Sequence, residues 1–139
     1  MEVTLPDGTR LRASGILDRR EDDDQRDFGL YMDERWQPTW PAEVIEWPDL
    51  AVPSAPIRAA AQIRAAFARA RAGERVEVGC LGGQGRTGTV LACMAVLAGV
   101  SASEAVTWVR RNYSPTAVET PEQEAWVLWF AAHAGERSA

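Results

Sequence analysis

At 139 residues, 46% apolar and 25% charged, the chain has material for one domain, 1–139, with a core of its own. A formal net charge of -5 makes it a poor general partner for nucleic acid or an anionic membrane. No run of eighteen apolar residues or signal-peptide pattern occurs, and two cysteines with one histidine build neither a disulfide framework nor a common zinc site, so a cytoplasmic chain without metal or cofactor is expected.

Residues 1–15 read as a hairpin, with Val3 and Leu5, a Pro6-Asp7-Gly8-Thr9 turn, then Leu11 and Ala13. Asp18 to Asp27 is a polar run read as a solvated loop; its sharper reading is a recognition loop in which Arg19, Arg20 or Arg26 touches substrate. Phe28 to Met32 is a predicted strand. Trp36 to Pro41 is a rigid connection, and Val44 with Ile45 is a short strand. Trp47-Pro48-Asp49 follows at once, placing a carboxylic acid on a loop just past a strand end, where it can reach a site at that end of a sheet. Ser54 and Pro56 open a helix that runs to about Ala72 and stops at Gly73, with Ile57, Ala60, Ile63 and Phe67 on its apolar face and Arg58, Arg64, Arg69 and Arg71 mostly solvated.

The next stretch, residues 76–89, organises the chain. Val76 and Val78 alternate in a strand of about 75–79, glycines crowd the turn, and an apolar helix runs from Val90 towards Gly99. A glycine-rich loop entering a helix N-terminus offers converging backbone N–H groups and a positive dipole end to an anion such as phosphate. The same field favours the thiolate form of Cys80, and the Arg86 guanidinium can take two oxygens in a fork. Gly83-x-Gly85-x-x-Gly88 also satisfies a dinucleotide fingerprint, but the acid due about twenty residues on is Glu104, which opens a helix, and that reading leaves Cys80 and Arg86 without a task. A lysine-dependent phosphate loop is excluded, because all fifteen basic residues are arginine. Arginine-only basicity in an alanine-rich chain also points to a GC-rich bacterial genome, a statement about codons rather than chemistry.

Ser101 to Glu104 has the spacing of a capping box, so a helix opens there with Ala105, Val106, Val109 and Trp108 as core contacts, and it ends at Tyr113-Ser114-Pro115. Thr120 to Gln123 opens the last helix, whose apolar face carries Trp126, Trp129 and Phe130. Cys93 is read as core and His133 as a surface residue at a helix end.

Cys80-x5-Arg86-Thr87, with Gly83 inside the loop, resembles the signature of the cysteine-dependent protein tyrosine and dual-specificity phosphatases. The resemblance implies an α/β fold, a central and mostly parallel sheet flanked by helices, with the site at the carboxyl ends of the strands. It implies Cys80 as the nucleophile that forms a phosphocysteine, Arg86 as the phosphoryl-binding guanidinium and Thr87 as the hydrogen-bond donor to the departing thiolate. Backbone amides of Leu81, Gly82, Gly83, Gln84, Gly85 and Arg86 would cradle the remaining oxygens. Asp49, thirty-one positions before Cys80, resembles the acid of the Trp-Pro-Asp loop and would serve as general acid, then base. Glu119 to Val127 resembles a short glutamine loop, in which Gln123 either orients water or caps the helix, and Glu119 stands where some members carry a second glutamine. The family's histidine before the nucleophile is here Gly79. The implied substrate is a phosphorylated protein, phosphotyrosine foremost, without cofactor or metal. A phosphate-binding module without turnover and a small-molecule phosphatase are the alternative functions.

Overall fold

β1 (Glu2–Thr4) and β2 (Arg10–Gly15) form the expected hairpin, Val3 opposite Leu11, in a computed structural model that describes residues 1–16 and 26–133. Most of the acidic run, with Arg19 and Arg20, lies outside those residues. β3 (Phe28–Tyr31), β4 (Ala42–Val44) and β5 (Val76–Cys80) complete a five-stranded sheet of order β1-β2-β5-β3-β4. Every pairing except the hairpin is parallel. The fourth strand closes at Val44 rather than including Ile45, whose N–H still donates to Tyr31 O at 2.7 Å while its side chain enters the core.

The helices are α1 (Pro56–Arg71), α2 (Gly85–Leu97), α3 (Ala102–Asn112) and α4 (Pro121–Ala132). Pro56 occupies the first turn of α1, and Gly73, at φ +100°, supplies the left-handed residue that closes it. Ile57 departs from expectation: it is 63% exposed, whereas Ala59, Ile63, Ala66, Phe67 and Ala70 form the buried face. At about 100° per residue Ile57 lies roughly a third of a turn from that face, too far to share it. α3 begins where predicted, but its capping box is not formed; Glu104 N donates to Ser101 O, and the Ser101 hydroxyl faces that of Ser103. α2 is buried around almost its whole circumference because α1, α3, α4 and β5 all pack against it. Among the described residues no helix is long and apolar enough to cross a membrane.

The two sheet faces differ in kind. Leu11, Ala13, Phe28, Leu30, Val76 and Val78 join the helices in the hydrophobic core. The alternate positions, Ser14, Gly29, Tyr31, Glu77 and Gly79, carry a polar and aromatic layer. There Glu77, fully buried, accepts from Tyr31 OH at 2.6 Å and Ser14 Oγ at 2.8 Å, with Arg26 Nε 2.7 Å away. Burial and the Glu77 hydrogen bond together push the Tyr31 phenol far above its ordinary range. Arg26 also covers the Trp40 ring at 4.1 Å, so the structure places it in this layer and not at the cysteine.

Candidate active site

Strand β5 ends on Cys80 and α2 starts at Gly85, so the four residues between them must turn the chain from sheet to helix. Gly83 makes that turn at φ +73°, and the loop backbone rests directly on the end of β2; a Cβ on Gly15 would lie 2.7 Å from Gly82 C. The loop is tied from outside: Tyr113 OH donates to Gly83 O, and Ser114 Oγ and Thr116 Oγ1 donate to Gln84 Oε1 at 2.5 and 2.6 Å. Among the described residues, the backbone N–H groups of Gly82, Gly83, Gln84 and Gly85 donate to no protein acceptor.

Cys80 is buried, and Thr87 Oγ1 donates to its Sγ at 3.0 Å. The spacing of seven brings these two together because residue 87 lies on the first turn of α2, directly over the strand end. Arg86 is 4% exposed and held on three sides: Nη1 donates to Met32 O at 2.7 Å and Trp47 O at 2.9 Å, and Nη2 donates to Asp33 Oδ2 at 3.1 Å. That leaves Nε–H and one N–H of Nη2 for a ligand, the pair a tetrahedral oxyanion can take. Nε is buried without a hydrogen-bond acceptor; Asp49 Oδ1 stands 3.5 Å away, close enough to pair electrostatically but not aligned to accept.

The Trp47-Pro48-Asp49 loop is anchored at one end and open at the other. Trp47 is buried against Trp126 at 5.4 Å, its indole donating to Ala51 O at 2.7 Å, while the Asp49 side chain is 58% exposed and accepts from Leu50 N. A cleft of about 230 Å³ is lined by Asp49, Cys80, Leu81, Gln84, Arg86 and Glu119, among others. A larger cleft, about 910 Å³, opens away from Cys80 among Arg10, Arg71 and Arg75, and no cysteine lines it among the described residues.

Gln123 does not reach this cleft. It is fully buried, its Oε1 accepts from Glu119 N at 2.8 Å and its Nε2 donates to Ala51 O at 3.1 Å, so the amide ties the acid loop to the start of α4. The helix cap falls to Thr120, whose hydroxyl accepts from Gln123 N at 3.2 Å. Glu119 is the residue of this segment that faces the cleft, its carboxylate lying against Gly85.

Asp33 is a site residue that sequence reasoning missed. Buried at the end of β3, it takes Nη2 of Arg86 and a forked pair from Arg35 at 2.9 and 2.8 Å. Those bonds, Arg35's first, hold its carboxyl well below the usual range. An acid one residue past a predicted strand end was the available signal. Cys93 lies in the core as expected, and burial pushes its thiol up. His133 is half-buried rather than free on the surface, stacked on Trp129 at 4.5 Å.

Sheet order, loop and helix together define the fold of tyrosine and dual-specificity phosphatases. Within it the chain belongs to the family described as Swiss Army Knife protein, DSP-PTPase phosphatase domain (PTP-SAK), whose model matches residues 32–127. Tk-PTP in its active form is similar in structure, with TM-score 0.67 and 28% identity over 78% of this chain and 80% of that one. Human DUSP28 shares the fold at TM-score 0.73 and 16% identity, over 96% and 97% of the two chains. An uncharacterized protein of Methanocaldococcus jannaschii is 50% identical over 58 residues, covering 42% of this chain and 38% of its own length. A second from that archaeon is 47% identical over 57 residues, 41% of this chain and 35% of the relative. The chain thus spans little more than a third of the curated relatives it matches, and their archaeal source lends no support to the bacterial origin expected from composition.

Proposed function

We propose that the chain hydrolyses phosphomonoesters through a phosphocysteine, with phosphotyrosine in protein as the preferred substrate. The observation that carries this reading is the Thr87 hydroxyl at 3.0 Å from Cys80 Sγ, beside a cleft lined by Cys80 and by Arg86, whose Nε has no hydrogen-bond acceptor. In the first step Sγ attacks phosphorus in line with the ester oxygen. The S–P bond forms as the P–O bond breaks, and Asp49 delivers a proton to the departing oxygen. The phosphoryl oxygens rest on amides from Leu81 to Arg86 and on Nε and Nη2 of Arg86. An incoming phosphoryl group displaces Asp49 from its place near Nε, freeing the acid to face the leaving group.

In the second step water attacks phosphorus, Asp49 takes its proton, and the S–P bond breaks with Thr87 donating to the released thiolate. Glu119, on the cleft wall, orients that water; Gln123 acts at one remove by holding Glu119 N and Ala51 O. Leu81 in the cleft and Leu50, 53% exposed beside Asp49, offer apolar surface to an aryl ring, which favours phosphotyrosine.

The test is phosphate release from an aryl phosphate under reducing conditions, with and without chelator. Wild type should be active in both, Cys80→Ser inactive, and Asp49→Ala slower by about 10²–10⁴-fold. Phosphotyrosine peptides should give a higher kcat/KM than phosphoserine peptides or a phosphoinositide; the reverse order moves the substrate to those classes. A wild type that binds phosphopeptide and releases no phosphate is a binding module.

A further inference from the structure

The residue before Cys80 is glycine because another side chain occupies its space. A Cβ at Gly79 would lie 2.8 Å from Cζ2 of Trp36 and 3.1 Å from Ser14 O. Trp36, 3% exposed, comes from the connection after β3, and its Nε1 donates to the backbone oxygen of Cys80 at 3.0 Å. The indole is clamped in that pose. It stacks on Tyr31 with centroids 4.1 Å apart and planes 12° apart. Tyr31 lies over Gly29, where a Cβ would come within 2.3 Å of its ring, and its hydroxyl is fixed between Glu77 at 2.6 Å and Trp40 Nε1 at 2.9 Å. Gly29 and Gly79 sit opposite Glu77 and Tyr31 in the β3–β5 register, so two glycines on one sheet face make room for two stacked rings.

We propose that Trp36 is a positioning residue of the phosphate loop, whose indole N–H fixes the Cys80 carbonyl from the space that a side chain at position 79 would otherwise fill. The reason lies in peptide geometry. The Cys80–Leu81 peptide is planar and trans, so its C=O and N–H point in opposite directions. Holding the carbonyl towards Trp36, which is not part of the cleft, turns the Leu81 N–H towards the cleft that Leu81 lines. Were the peptide to flip, a carbonyl oxygen would face the thiolate and the bound anion, and one donor would be lost. The inference rests on the reading of Cys80 as the phosphate-binding thiol, yet it is testable without turnover.

The experiment compares wild type, Trp36→Phe, Trp36→Ala and the double variant Trp36→Ala/Gly79→His. Trp36→Phe keeps a ring on Tyr31 and removes only the N–H. Three readings are taken: kcat/KM on an aryl phosphate, inhibition by inorganic phosphate, and the pH dependence of iodoacetamide alkylation at Cys80. Trp36→Phe should lose about 10–100-fold in kcat/KM, bind phosphate more weakly by about tenfold, and move the alkylation midpoint up by about one pH unit. The double variant should recover part of all three relative to Trp36→Ala. Wild-type values for Trp36→Phe in all three readings overturn the proposal. If the variants fail to fold, the wild-type indole resonance of Trp36 decides: protection from exchange and a shift on adding inorganic phosphate support it, and an unprotected, unresponsive indole overturns it. A wild type that releases no phosphate but whose alkylation profile still depends on the Trp36 N–H sinks the enzyme reading alone. An active wild type matched by Trp36→Phe sinks this one alone.

Discussion

Thr87 and Asp33 show two ways in which one side chain conditions a neighbour. The Thr87 hydroxyl has Sγ of Cys80 as its acceptor at 3.0 Å, in a fully buried position. A hydrogen bond to a charged group contributes about 1.5–3 kcal/mol, so Thr87→Val should lower kcat by about 10–100-fold, whereas Thr87→Ser should stay near wild type. Burst kinetics on an aryl phosphate locates the loss: a retained burst with a slow steady state assigns it to hydrolysis of the phosphocysteine. Asp33 acts through charge. Its carboxyl is held low by Arg35 first and Arg86 last, so its native value lies beneath its unfolded one. Stability from it is therefore complete above the unfolded value, about pH 4, and is lost as pH falls through the native one. Asp33→Asn should thus be less stable than wild type at neutral pH, and the gap should shrink between about pH 4 and pH 2 in urea titrations. Its aryl phosphatase activity should fall as well, since Arg86 loses the carboxylate that holds Nη2.

Among the elements, the segment between α3 and α4 gives Glu119 its place. Val118 takes φ +63°, a conformation that a β-branched residue adopts only under constraint. Arg110 on α3 supplies the constraint, Nε donating to Ala117 O at 2.9 Å and Nη2 to Val118 O at 2.7 Å. From the other side α2 presses its bare backbone on Ala117; a Cβ at Gly88 would sit 2.5 Å from Ala117 Cβ. Arg110→Met keeps the stem but frees both carbonyls, and should destabilise by about 1–3 kcal/mol in chemical denaturation. It should also slow aryl phosphate turnover without abolishing it, because Cys80, Thr87 and Arg86 stay in place. The sequence marked the limits of α3 and the start of α4 well, since proline and threonine act locally. It gave no sign of Arg110's role, which depends on an acceptor seven or eight residues away on a different element.

Across the whole molecule, one contiguous core runs from Val3 and Leu5 beside the hairpin to Val127 and Phe130 on α4. That continuity supports the proposal that residues 1–139 act as one domain. Urea unfolding followed by tryptophan fluorescence and by far-UV circular dichroism should then give a single coincident transition. Two separated midpoints would assign the hairpin or the helical half an independent stability. The asymmetry of the sheet is a property of this scale: helices bury one face, while rings, a carboxylate and guanidinium groups pack on the other.

The sequence by itself determined the strand–loop–helix around Cys80 and most element boundaries, and the family resemblance pointed to Thr87, Arg86 and Asp49, of which Thr87 meets the thiol and the other two line the same cleft. The strand, loop and helix limits rest on short-range rules: glycine where the backbone must turn, alternation in strands, and proline or hydroxyl residues at helix starts. The tertiary structure decided what spacing cannot express. Ile57 faces solvent because the face of α1 is set by the sheet beneath it. Gln123 turns away from the cleft and Glu119 towards it because Ala51, far away in the chain, accepts the glutamine amide. Asp33 reaches Arg86, and Trp36 reaches Cys80, across 53 and 44 residues of chain. Contacts over such separations follow from strand order and register, and a sequence read in windows carries neither.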